Sequence, residues 1–129
     1  NSFTHADIMK RCKTQISTPN NHLIVAELDG TIIGYTTLHI FPAVYMPVDE
    51  AMISDLFVLE EYTAKGAGAL LLAHLEKIAS EHGAIVALYN NNTRVPSRSD
   101  FYDAHKWENA KHLDVYIKKL GKSAQLIDF

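Results

Sequence analysis

Apolar and polar positions change period several times along the chain, and each change predicts an element. Ile8, Met9 and Cys12 fall at helical spacing behind Thr4, a residue suited to capping, which predicts a helix over about residues 4–15. Ser17-Thr18-Pro19-Asn20-Asn21 breaks it. Two strand-like runs follow, over residues 22–28 and 31–41. They are joined by Asp29-Gly30, a pair suited to a tight hairpin turn that needs positive φ. Pro42 and Pro47 bracket an irregular piece around Tyr45. Residues 51–59 read as a third strand, whose unbroken apolar run Leu56-Phe57-Val58-Leu59 predicts burial on both faces.

From Gly66 to His82 the helical period returns, with Leu71, Leu75, Ile78 and Ala79 as the inward stripe and Gly83 placed to end the helix. Residues 84–89 form a buried strand, and the helix before it predicts a parallel pairing with the third strand. After a polar loop over residues 90–94, residues 99–106 suggest a short helix. Residues 112–119 alternate as a final strand, with Leu113, Val115 and Ile117 on one face and Asp114, Tyr116 and Lys118 on the other. The order predicts an α/β fold in which helices flank a mixed central sheet.

Composition narrows the classes. A chain of 129 residues with no repeat or linker is read as one domain over residues 1–129, and 47% hydrophobic residues suffice for a core. The formal net charge of −3 and the lack of a dense basic run argue against a nucleic-acid partner. No segment has the length of a membrane span, and no secretory signal is visible. The single cysteine, Cys12, excludes an internal disulfide framework and fits a reducing compartment, so a cytoplasmic location is expected. The seven histidines show no His-x-x-x-His pair and no cysteine partner, so no metal site is expected.

The candidate chemistry starts between the third strand and the long helix. Thr63, Ala64, Lys65, Gly66, Ala67, Gly68 and Ala69 form a small-residue loop that brings several backbone N–H groups to one spot before a helix N-terminus. Such a spot favours a phosphate or pyrophosphate. Small residues let the backbone approach closely, the helix end contributes about half a positive charge, and Lys65 adds a full one at the edge. Taken alone, the same residues also fit a tight turn without a ligand.

A second segment gives the loop its meaning. Asp55-Leu56-Phe57-Val58-Leu59-Glu60-Glu61-Tyr62-Thr63-Ala64-Lys65-Gly66-Ala67-Gly68 resembles the strand and the Arg/Gln-x-x-Gly-x-Gly/Ala pyrophosphate loop of the GNAT superfamily of acetyl-CoA-dependent N-acetyltransferases. Phe101-Tyr102-Asp103-Ala104-His105-Lys106-Trp107 is similar to that family's Phe-Tyr-x-x-x-Gly-Phe element. The resemblance runs over residues 22–120 and implies a GNAT fold with splayed parallel strands, acetyl-CoA as acyl donor and a primary amine as acceptor. It further implies that the loop holds the pyrophosphate, that the backbone of Leu56, Phe57 and Val58 binds the pantetheine arm and the acetyl carbonyl, and that Tyr102 protonates the leaving thiolate. Arg94 and Ser99, which precede Tyr102, are candidates for the phosphate or adenine end; Ser99 equally suits a helix cap. Acceptor pockets in the family use the early helices and the segment between the second and third strands, here residues 41–49.

Three positions depart from the family pattern. Thr63 stands where Arg or Gln is usual, Lys106 replaces a Gly, and about twenty residues precede the hairpin, so either the chain is trimmed at its start or this member is short at the acceptor end. An alkyl amine of pKa near 10.4 is neutral at pH 7 only at about 4.6 kcal/mol, so a proton acceptor is needed. Relatives often carry a Glu where this chain has Ser54. Glu50, on the same face two strand steps earlier, is the first candidate; Asp55 is the second, because it points the other way unless a bulge intervenes. The expected activity is acetyl transfer to a small-molecule amine. The alternatives are transfer to protein lysines or N-termini, and a non-catalytic acyl-CoA-binding module. The final strand and the tail Gln125-Leu126-Ile127-Asp128-Phe129 suggest pairing into a homodimer.

Overall fold

In the computed structural model, which describes residues 4–88 and 99–124, the chain opens on helix α1 (His5–Ser17). Thr4 and Asp7 close a reciprocal capping box: the Asp7 N–H donates to the Thr4 hydroxyl at 3.1 Å, and the Thr4 N–H donates to the Asp7 carboxylate at 3.0 Å. These bonds, that from the Thr4 backbone foremost, hold the Asp7 carboxyl below its ordinary range.

Strands β1 (Asn21–Leu28) and β2 (Thr31–Pro42) form the expected hairpin, with Asp29 and Gly30 both at positive φ, 49° and 79°. Strand β3 (Asp49–Val58) pairs antiparallel with β2, and a 3-10 turn (Glu60–Lys65) leads into helix α2 (Ala67–Glu81). Strand β4 (Ile85–Leu88) returns parallel to β3, giving the sheet order β1-β2-β3-β4. Helices α3 (Ser99–Ala104) and α4 (Gly121–Ala124) complete the described elements.

The core lies between the sheet and α2. Leu71, Leu72, Leu75 and Ala79 of α2 are buried against Leu38 and Ile40 of β2 and Ala51 and Ile53 of β3. A patch at the other end of α2 joins Ala67 and Leu71 to Ile33 and Val58. The helical stripe is thus the one the periodicity predicts, with Leu72 added.

The β2–β3 ladder carries a bulge. Thr37 faces Asp55 while Leu38 faces Ile53, so Ser54 is an extra residue on β3. Two threonines hold it. The fully buried Thr36 hydroxyl donates to the Asp55 carbonyl at 2.7 Å, and the Asp55 N–H donates to the Thr37 hydroxyl at 3.1 Å. The extra residue reverses the alternation, so Leu56 and Val58 join Ala51 and Ile53 on the α2 side, while Asp55 and Phe57 fall on the opposite side. The predicted burial of β3 on both faces therefore fails at Phe57, whose ring is 45% exposed. Next to the bulge the strands approach closely. A Cβ on Gly34 would lie 2.7 Å from the Phe57 carbonyl oxygen, so only glycine fits.

Helix α3 ends in a Schellman turn. The Trp107 N–H bonds the Tyr102 carbonyl, the Lys106 N–H bonds the Asp103 carbonyl, and Lys106 occupies the left-handed position at φ 65°. The final strand expected over residues 112–119 does not form. Leu113, Val115 and Ile117 are each more than half exposed, and among the described residues no ladder reaches them. Alternation defines two faces, but a strand also needs a neighbour to take its N–H and C=O groups. Tyr89, the loop over residues 90–94 and the tail over residues 125–129 lie outside the described residues.

Thr36→Val leaves the Asp55 carbonyl without its buried donor and is expected to lower unfolding free energy by about 1–3 kcal/mol, measured by urea titration. Lys106→Gly relieves a left-handed backbone at a non-glycine residue. After the added freedom of the unfolded chain it is expected to raise stability by about 0.5–1 kcal/mol, visible as a higher melting temperature.

Candidate active site

Strand β3 delivers the chain to the N-terminus of α2 in three steps. The Leu59 N–H bonds the Ile33 carbonyl at 2.8 Å, the 3-10 turn follows, and Gly66 turns through φ 81° with open space around it. A residue with a side chain would be strained there. The first bond that reaches back to the cap is Leu70 N–H to the Gly66 carbonyl at 3.1 Å. The amides of Ala67, Gly68 and Ala69 precede it in the first turn and have no partner one turn back. No acidic side chain stands in that turn, and Lys65 is exposed just before it. The arrangement suits an anion.

The predicted loop is therefore divided. Thr63, Ala64 and Lys65 belong to the 3-10 turn, and the Thr63 hydroxyl donates back to the Glu60 carbonyl at 2.9 Å. Gly66, Ala67, Gly68 and Ala69 supply the cap and the first helical turn. At Gly68 a Cβ would stand 3.5 Å from the Phe101 ring, an ordinary contact distance, so glycine is not required there. The ring nonetheless places α3 beside the start of α2. It brings together the two segments that carry the sequence resemblance.

Tyr102 follows Phe101 on α3 and is only 9% exposed, its ring 5.3 Å edge-on from Phe101 and 6.0 Å from Trp107. Trp107 is fixed in turn by its indole N–H, which donates to the Glu76 carboxylate on α2 at 2.7 Å. Ser99 is the first residue of α3, and Arg94 lies outside the described residues.

Among the described residues, the ladder from β3 to β4 runs from Glu50↔Ile85 to Ile53↔Leu88, and β3 itself extends through Ser54, Asp55, Leu56, Phe57 and Val58. The Asp55 N–H and C=O are bonded from β2, and the Leu59 N–H also turns to β2. Antiparallel alternation then directs the Phe57 backbone to β2 and the backbones of Leu56 and Val58 to the other side. Of the three residues expected to bind through their backbone, Leu56 and Val58 are so placed and Phe57 is not.

The two candidate proton acceptors separate. Glu50 lies between Phe41 of β2 and Ile85 of β4, in the closed part of the sheet. It is about 15 Å along the strand from Asp55 at roughly 3.3 Å per residue. Asp55 sits at the bulge, on the face away from α2. There it adds to the burial that raises the Tyr35 phenol above its ordinary range, with Cys12 of α1 a smaller cause. The segment over residues 41–49 lies elsewhere. With His82 and Gly83 at the C-terminal end of α2, Pro42, Met46, Pro47 and Asp49 line an open cavity of ≈ 350 Å³. Tyr45 is exposed. This cavity is about 20 Å, the length of α2 at 1.5 Å per residue, from the Gly66 end, so it does not adjoin the anion-binding turn.

Thr36, Thr37, Tyr35 and Glu76 are the site-forming residues that periodicity does not reveal. Their only sequence signal is polarity inside or beside strongly apolar runs. Among the described residues, no group of three or more His, Cys, Asp and Glu side chains forms a metal-binding cluster, and no helix is long and apolar enough to cross a membrane.

The sequence profile of the acetyltransferase (GNAT) family matches residues 2–104. No curated protein matches the chain closely enough to count as a relative. Solved structures share its fold. A putative acetyltransferase from Agrobacterium tumefaciens superposes with a TM-score of 0.78 at 20% identity, over 92% of this chain and 82% of the other. An aminoglycoside acetyltransferase from an uncultured soil metagenomic sample, in complex with sisomicin, gives 0.73 at 20% identity, over 95% and 78%. Glucosamine-6-phosphate N-acetyltransferase from Arabidopsis thaliana gives 0.74 at 17% identity, over 95% and 82%. With the profile spanning most of its length, and both of its sequence elements meeting at the start of α2, the chain belongs to the GNAT acetyltransferase family.

Proposed function

We propose that the protein transfers an acetyl group from acetyl-CoA to the primary amine of a small molecule. One juxtaposition carries this reading. The Phe101 ring lies beside Gly68, so the residue next to Tyr102 neighbours the turn whose amides suit a diphosphate. The donor set fits the coenzyme: three first-turn amides, a left-handed glycine in open space, an exposed lysine and no carboxylate. Gly66, Ala67, Gly68 and Ala69 would hold the diphosphate, with Lys65 beside it and Thr63 and Ala64 shaping the approach. The backbones of Leu56 and Val58, which face away from β2, would take the arm. Acetyl-CoA, when bound, supplies an activated thioester that an amine can attack.

The chain's own residues would manage the protons. Tyr102 is the donor to the departing thiolate; its burial limits competing water. Asp55 replaces Glu50 as the preferred proton acceptor, because the bulge turns it onto the exposed face beside Phe57 while Glu50 is paired between β2 and β4. The structural neighbours include an aminoglycoside acetyltransferase, a glucosamine-6-phosphate N-acetyltransferase and a ribosomal-protein-alanine N-acetyltransferase, so transfer to protein lysines or N-termini is the alternative reading. A non-catalytic acyl-CoA-binding module is the reading left if coenzyme binds and no amine is acetylated. A cytoplasmic location belongs to the same proposal. So does a homodimer built on the exposed Leu113, Val115 and Ile117.

Free thiol release from acetyl-CoA in the presence of an amine panel tests the reading. Tyr102→Phe is expected to lower kcat about 10²–10³-fold and to leave calorimetric CoA binding within about threefold; unchanged kcat would remove Tyr102 from the mechanism. Light scattering at micromolar concentration is expected to give twice the monomer mass, and a monomer mass removes the dimer.

A further inference from the structure

We infer that Tyr35, Phe57 and Asp55 form the acceptor seat, and that it takes a primary amine joined to an apolar, preferably aromatic, body rather than a hydroxyl-covered amino sugar. This inference rests on the transferase reading and adds the class of acceptor.

The seat is a product of the bulge. Val25, Tyr35 and Phe57 are consecutive partners across β1, β2 and β3, so their side chains form one row on the face away from α2. The Tyr35 and Phe57 rings lie 6.0 Å apart at 41°. Phe57 is 45% exposed, and Val25 is also open to solvent. Val25 and Phe57, uncovered on either side of the half-buried Tyr35 ring, make a small platform rather than isolated surface positions. Asp55 falls on the same face two residues before Phe57, beside Tyr35. Without the extra residue at Ser54, both Asp55 and Phe57 would turn into the core.

The chemistry of the row selects its ligand. One carboxylate answers one ammonium, and the adjoining ring faces receive either the cation or an apolar chain. The Tyr35 phenol is held protonated by its burial and by Asp55, so it adds no second negative charge at neutral pH. An amino sugar would lay its hydroxyls against Val25 and Phe57, which offer them no hydrogen-bond partner, so it gains nothing from the row beyond its one ammonium. The seat also lies on the stretch of β3 whose Leu56 and Val58 backbones would hold the donor's arm, so an amine bound at Asp55 is close to the transferable group.

The test measures 2-phenylethylamine, n-hexylamine and glucosamine as acceptors, and calorimetric binding of each to the CoA-saturated protein, for the wild type, Phe57→Ala and Phe57→Leu. Phe57→Leu keeps apolar bulk if the alanine variant folds poorly, and melting temperatures check both. Phe57→Ala is expected to raise KM and Kd for 2-phenylethylamine about tenfold, with KM for acetyl-CoA within about twofold and glucosamine the poorest substrate throughout. Phe57→Leu is expected to weaken 2-phenylethylamine more than n-hexylamine. Turnover of glucosamine in preference to both apolar amines, or apolar-amine binding indifferent to both variants, overturns the seat while leaving the transferase reading intact. Binding of 2-phenylethylamine that depends on Phe57 without turnover of any amine supports the seat and overturns the transferase reading.

Discussion

Two threonine hydroxyls on β2 hold one extra residue in β3, and most of what distinguishes this site depends on that hold. Thr36 donates to the Asp55 carbonyl from one side of the sheet, and Thr37 accepts from the Asp55 N–H on the other. A bulge breaks the ladder and would otherwise leave backbone groups without partners in a half-buried strand. Once it is held, every residue after Ser54 changes face. Leu56 and Val58 close the core over Ala67 and Leu71, and Asp55 and Phe57 emerge on the opposite surface. The close fit at Gly34, where the Phe57 carbonyl occupies the space a Cβ would need, fixes β2 and β3 in that register.

The start of α2 is tied to this strand at one end and to α3 at the other. Val58 and Ala67 share the smaller apolar patch, so the depth of the anion-binding turn follows from the burial of β3. The Phe101 ring lies beside Gly68, and Trp107 grips Glu76 two turns further along the same helix. Helix α3 has only six residues, too few to hold a helical shape in water unaided. Its position comes from these contacts and from the Schellman turn at Lys106. A short element carrying Tyr102 is thereby referenced to the same helix whose amides suit the diphosphate.

Much of this was legible in the chain. The hairpin turn at Asp29-Gly30, the cap at Thr4, the inward stripe of α2 and the parallel return of β4 all follow from local chemistry and the two periods of regular structure. The small-residue loop and the Phe101-Tyr102 element were legible as motifs, and the family profile agrees with them. Two readings failed because each depends on a partner strand distant in sequence. Among the described residues no strand pairs with residues 112–119, and Phe57 was assigned to the core because an apolar run does not announce a bulge.

The amino-acid sequence alone thus determined the succession of elements, the glycines that permit left-handed backbone and the family, because each is encoded by residues near one another in the chain. Tertiary structure alone decided the face on which Asp55 and Phe57 emerge and which backbone groups point away from β2. Those outcomes turn on a one-residue offset between two strands. The offset is set by hydroxyls 18 and 19 positions away from Asp55, a separation over which no local pattern carries information.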